Sequence, residues 1–223
     1  MITPPFQRIG IVTCGAEKLA NYFPTAAEPD FVPTEPPFTP DDQFLVEELR
    51  RRGHHVSAVV WGAEASQLPD QFDRLIVRSP WDYMESDQRR QDFLNWLENL
   101  ATTGLIVENE PRMMLWLMDK RLPAIGQIMV HAERGGSLRF AEPPSVLRQL
   151  GDQVAAVVPR AFASRAGTSC RMPLYLRIDL IETPTGGLLS ECEGVEPELF
   201  FRAQSESVIR FAKFLENGGG GSR

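Results

Sequence analysis

Apolar positions recur along this chain with two different periods, and each change of period marks an element. Arg8-Ile-Gly-Ile-Val-Thr-Cys14 is a short apolar run, the pattern of a parallel strand buried on both faces. From Pro40 to Arg52 the period becomes helical: Phe44, Leu45 and Leu49 make an apolar stripe, Asp41 or Asp42 is the expected cap, and Gly53 the stop. Arg50, Arg51 and Arg52 suit the negative end of that helix. Pro24, Pro29, Pro33, Pro36, Pro37 and Pro40 predict a loop before it, because proline removes donors and prevents a helix. Strands are expected at Val56–Trp61, Arg74–Arg78 and Leu105–Glu108, with a helix near Gln88–Ala101 and Gly104 closing it. Strands alternating with helices predict a parallel sheet covered on both faces.

Beyond residue 110 the pattern changes. A helix is expected over Arg112–Lys120, followed by a stretch without period through Gly126, Gly135 and Gly136. Pro143-Pro144 open another helix reaching about Phe162. Leu174–Ile181 and Leu188–Val195 read as a hairpin turning through Thr183-Pro-Thr-Gly-Gly187. A last helix spans Ser205–Leu215 on Val208, Ile209, Phe211 and Leu215. The fold class is α/β: a mostly parallel N-terminal sheet over residues 1–110, then a smaller α+β part over 111–216. Residues 217–223, ending Gly-Gly-Gly-Gly-Ser-Arg, read as a flexible tail or a remnant of cloning.

Length and charge narrow the partners. At 223 residues the chain is one large domain or two that share a core. It carries 23 basic against 30 acidic residues, a net charge of −7. That balance argues against nucleic acid and leaves small molecules or proteins. No apolar run reaches the roughly 18 residues of a membrane helix, and the N-terminus has no secretory pattern. Cys14, Cys170 and Cys192 show no CxxC spacing, so the expectation is free thiols in a reducing cytoplasm. His54, His55 and His131 fit no metal spacing.

Three places carry candidate chemistry. In the hairpin, Tyr175, Arg177 and Asp179 share one face of the first strand, and Leu189, Glu191 and Glu193 share one face of the second. An odd loop centred on Thr185 sets Asp179 across from Glu191 and Arg177 across from Glu193. Such opposed carboxylates either grip a hard cation such as Mg2+ or form a solvated face that Arg177 neutralises. A one-residue slip would dissolve the pairing. Next, Arg78-Ser-Pro-Trp-Asp-Tyr83 follows a strand directly, where open α/β sheets bind ligands. Arg78 and Trp81 there either hold a ligand or make a strand-to-helix turn over the sheet edge. Finally, the chain has only three lysines, Lys18, Lys120 and Lys213. Lys120 serves either as a point charge for phosphate or as a cation at a helix C-terminus.

These stretches, in order, resemble the glutathione-synthetase-like carboxylate–amine ligases of the ATP-grasp superfamily. The resemblance runs through Arg8–Cys14, Asp41-Asp42 with Leu45, Leu49, Arg52 and Gly53, Val60-Trp61, and Phe72-Asp73 to Arg78-Ser-Pro-Trp-Asp-Tyr83. It continues with Asn109, Pro111, Trp116, Asp119-Lys-Arg121, Tyr175-Leu-Arg-Ile-Asp179 and Glu191-Cys-Glu-Gly-Val-Glu-Pro197, with Leu199-Phe200. It implies a pre-ATP-grasp-like N-terminal domain and an ATP-grasp-like C-terminal part, with Mg2+ and ATP as cofactors. It assigns Asp179, Glu191 and Glu193 to magnesium and Arg177 to the transferred phosphate. Lys120 falls to the nucleotide, and Arg78, Ser79 and Trp81 to the acceptor side. The substrates would be a small carboxylate and an amine, and such ligases often pair as homodimers. Between Lys120 and Gly136 the chain is short where the family places a swivelling lid with a second phosphate lysine, and no lysine lies between Lys120 and Lys213. The expectation is therefore a ligase with a reduced lid or, alternatively, a non-catalytic binding protein of ligase descent.

Overall fold

The computed structural model describes residues 6–22, 38–118, 142–167, 171–184, 186–201 and 205–217. Strands β1 (Arg8–Thr13), β2 (His55–Val60), β3 (Arg74–Ser79) and β4 (Ile106–Glu108) form a parallel sheet in the order β2-β1-β3-β4. The sheet has two apolar faces because its central strands alternate between them. Ile9, Ile11 and Ile76 point into one core, Val12, Leu75 and Val77 into the other. At Gly10 a Cβ would lie 2.4 Å from Leu75 and 2.8 Å from Val59, so only glycine permits the packing of β1 against its neighbours.

One face is covered by α4 (Asp87–Leu100) and α5 (Pro111–Leu117), through Phe93, Trp96, Leu97, Leu100 and Met114. Phe93 is fully buried and stacks on Tyr83 with ring centroids 4.5 Å apart. The other face is covered by α2 (Pro40–Arg51), through Leu45, Val46 and Leu49, and by α7 (Ser205–Glu216) returning from the far end of the chain. Val208, Phe211, Ala212 and Leu215 of α7 join the core of the N-terminal sheet. Both cores therefore run across the expected boundary at residue 110, as a chain of two parts sharing a core requires. Short helices α1 (Ala16–Tyr22) and α3 (Leu68–Gln71) follow β1 and precede β3.

The second part holds α6 (Ser145–Ala166) and an antiparallel hairpin of β5 (Arg177–Thr183) and β6 (Gly186–Glu193). Helix α6 lies on the hairpin: a Cβ at Gly187 would lie 2.4 Å from Leu147 and 3.1 Å from Leu150. Among the described residues no helix is long and apolar enough to cross a membrane.

Several expectations need correction. The cap of α2 is Thr39, whose Oγ1 accepts from the Asp42 amide at 3.0 Å, with Pro40 in the first turn. Asp41 and Asp42 are instead buried and bound elsewhere. Phe44 is 41% exposed, and Val46 replaces it in the stripe. The strand expected from Leu174 begins only at Arg177, because the backbone of Leu174 and Tyr175 is engaged by Asn109 rather than by a partner strand. The proline loop, the segment with Lys120 and the glycine tail lie outside the described residues, apart from Phe38–Pro40 and Asn217.

Candidate functional site

The hairpin brings together the four charged residues read from the sequence. Arg177 pairs with Glu193 and Asp179 with Glu191 in the antiparallel register. The expected odd loop is absent, however. Thr183 pairs with Gly186, leaving a two-residue turn, and the register shifts between Asp179 and Leu180, making Ser190 an extra residue in β6. The bulge restores the pairing an odd loop would have given. It also sets Leu189 opposite Leu180, so Leu189 does not alternate with Glu191 as the plain period-2 pattern predicts.

The side chains converge on one guanidinium. Arg177 Nε donates to Asp179 Oδ1 at 3.1 Å, and its Nη2 donates to Glu191 at 3.3 Å and lies 2.8 Å from Glu193 Oε2. Burial opposes the charge of Arg177, but Glu193, Asp179 and Glu191 outweigh it and hold its pKa above the ordinary arginine value. Glu193 is pushed upward by burial and by the neighbouring carboxylates, against the pull of Arg177. One positive charge faces three carboxylates, oxygen donors of the type hard cations take. In the arrangement shown, the guanidinium takes the place of a cation, and among the described residues no three acidic, histidine or cysteine side chains form a metal-holding group.

The Arg78 turn lies at the C-terminal end of β3, and its first two residues face inward. Arg78 is 2% exposed, its Nε donating to Asp42 at 2.9 Å and its Nη1 to the Pro197 carbonyl at 2.9 Å. The guanidinium lies 5.6 Å from the Tyr175 ring centre and 5.8 Å from that of Phe201. Ser79 is fully buried and donates to the other Asp42 oxygen at 2.7 Å. In this arrangement Arg78 and Ser79 are interior ties to Asp42 and the Pro197 carbonyl. Trp81 opens a 3-10 turn that carries Asp82 and Tyr83. Asp82 accepts from the Trp61 indole and from Arg89.

Tyr83 links this turn to the hairpin. Its hydroxyl donates to Glu196, three residues past Glu193. Burial and Glu193 raise the Glu196 pKa to about 8, although the Tyr83 hydrogen bond, Arg177 and Arg78 favour the charged form. On its other side Tyr83 borders an open cleft of about 520 Å³, between Met84, Ser86, Arg90 and Met118. The cleft, Tyr83, Glu196 and the Arg177 cluster thus follow one another around the C-terminal end of the sheet.

Sequence reasoning missed the roles of Asp42, Asn109 and Glu196. Asn109 has a φ of +58° and is 2% exposed. The signal that was present is its place between a strand and Pro111, since asparagine tolerates the left-handed conformation better than most residues. Asp42 and Glu196 gave no local signal, because their partners are 36 and 113 residues away.

The fold and this constellation define an α/β protein with a parallel sheet, both faces covered, and an appended acidic hairpin. Residues 10–109 match the family model described as D-cycloserine synthetase DcsG, N-terminal domain. The crystal structure of D-cycloserine synthetase DcsG superposes with a TM-score of 0.62 over 94% of this chain and 99% of that chain. Identity over the superposition is 16%, so the likeness is one of fold. No curated protein sequence matches the chain.

Proposed function

We propose that this protein is an ATP-dependent carboxylate–amine ligase of the ATP-grasp type, with the hairpin as its nucleotide-binding element. The observation that carries the reading is the set of Asp179, Glu191 and Glu193 around Arg177 on adjacent strands. The similarity of residues 10–109 to the N-terminal domain of D-cycloserine synthetase DcsG supports it. In such a ligase ATP phosphorylates a carboxylate, and an amine then displaces the phosphate. Mg2+ supplies neutralisation of the nucleotide's phosphate charge. Asp179 and Glu191, with Glu193 as a third donor, would hold it. Arg177 would then exchange its carboxylate partners for the transferred phosphate, which a guanidinium matches in geometry. Lys120 is assigned to the nucleotide phosphates. Trp81 and Tyr83 wall the acceptor side, and Arg78 and Ser79 fix the turn through Asp42.

A second reading has its own observation. Arg177 already contacts all three carboxylates, the arrangement expected of a binding or scaffold protein that has given up nucleotide turnover. Calorimetric titration with Mg·ATP separates the two. Submillimolar binding that Asp179→Ala abolishes is the expected outcome. No heat from a protein with native circular dichroism would contradict the ligase reading and leave the scaffold.

A further inference from the structure

We infer that Asn109 is a positioning residue for the Arg177 cluster, clamping both legs of the hairpin at its base; the inference rests on the reading of that hairpin as the nucleotide-binding element. Its amide is used to capacity. Oδ1 accepts from the Leu174 amide at 2.8 Å and the Tyr175 amide at 3.4 Å, on the leg entering β5. Nδ2 donates to the carbonyls of Tyr175 at 2.8 Å and Gly194 at 2.6 Å, the latter on the leg leaving β6. Arg177 follows Tyr175 by two residues and Glu193 immediately precedes Gly194, so the first rung above the clamp is the Arg177–Glu193 pair.

The backbone at Asn109 is in the left-handed region, with φ at +58°. A side chain there is sparsely populated unless its surroundings hold it, and such residues gather where geometry serves a site. Gly194 matches from the other side: a Cβ would lie 2.6 Å from Leu117 and 2.9 Å from Leu176. The Tyr175 hydroxyl, 3.1 Å from the Val195 carbonyl, is a second tie between the same legs, but it holds the leaving leg one residue further out. Asn109, bound to the backbone of both legs, therefore helps set how far apart the β5 and β6 roots stand, and with that distance the reach between Arg177 and the three carboxylates.

The test compares Asn109→Gly with the parent protein. Glycine relieves the positive φ while removing the amide, so the change strips the clamp without adding backbone strain. Two readouts are needed: hydrogen exchange of the hairpin amides against those of the parallel sheet, and the dissociation constant for Mg·ATP. The expected result is sheet amides protected as before, hairpin amides exchanging about tenfold faster or more, and Mg·ATP bound about tenfold more weakly or worse. Hairpin exchange equal to the parent's overturns the inference, and so does undiminished Mg·ATP affinity when the parent binds the nucleotide. A parent protein that binds no Mg·ATP defeats the nucleotide reading instead; faster hairpin exchange then still supports the clamp, and unchanged exchange still overturns it. Asn109→Asp, which keeps the acceptor half and turns the donor half against two carbonyls, serves the same comparison should the glycine variant not fold.

Discussion

Glu196 shows how a single residue's surroundings outweigh its intrinsic chemistry. In the folded chain its carboxyl keeps a proton up to about pH 8, against an ordinary value of 4.5. Between those limits the folded state binds more protons than the unfolded one, so this residue lowers stability as pH rises through the window, fully so above it. The facing groups are Tyr83 on the turn, Glu193 on β6, Arg177 on β5 and Arg78 on β3. Asp73, held below its ordinary value mainly by its hydrogen bonds to Arg8, contributes with the opposite sign and in a more acid range. Glu196→Gln keeps an acceptor for Tyr83 and removes the titration. Urea midpoints measured from pH 5 to 8 should decline less steeply for the variant than for the parent; an equally steep decline would contradict the assignment. Arg78 teaches the complementary lesson. Its sequence neighbours offered a ligand-facing turn and a covering turn with equal force. Its burial against Asp42 and the Pro197 carbonyl, 36 and 119 residues away, could not be read from those neighbours.

At the scale of elements, the strands and most helices were legible because their apolar period is set locally. β1, α2, α4 and α7 fall within a residue or two of the expected ranges. Ends and registers were less legible, because they depend on single hydrogen bonds. The cap of α2 moved to Thr39 since its side chain reaches the Asp42 amide, while the two aspartates were drawn inward: Asp42 to Arg78, and Asp41 to the Phe201 amide. Thr39→Ala should destabilise the protein by about 1 kcal/mol in urea unfolding, the usual worth of such a cap. A loss under about 0.3 kcal/mol would show that Pro40 and burial hold the helix start unaided. The hairpin was read correctly at its charged end for an incomplete reason. A two-residue turn and a bulge at Ser190 together produce the register that an odd loop would have produced, and period-2 counting cannot tell them apart.

The whole molecule is bound by interactions that cross its length. Val208, Phe211 and Leu215 complete the core under β1 and β3, and Val195 completes the core under α4. Tyr175 donates its hydroxyl to the Val77 carbonyl, and Tyr83 donates to Glu196, so the hairpin is tied to the ends of the parallel strands. The sequence made the α/β class and the members of the acidic rung readable. It offered Arg177 among them as one of two readings, beside a bound cation, and could not choose between the two, because side-chain placement depends on where β5 and β6 stand relative to the sheet. On the proposed ligase reading, nucleotide draws the Arg177 guanidinium away from its carboxylates. The Arg177 Nε–H resonance, followed by nitrogen-15 NMR through a titration with Mg·ATP, tests it most directly. The expected result is a saturable shift as Arg177 leaves Asp179 and Glu191 for phosphate. A resonance that stays fixed to saturating Mg·ATP, in a protein that remains folded, would contradict it.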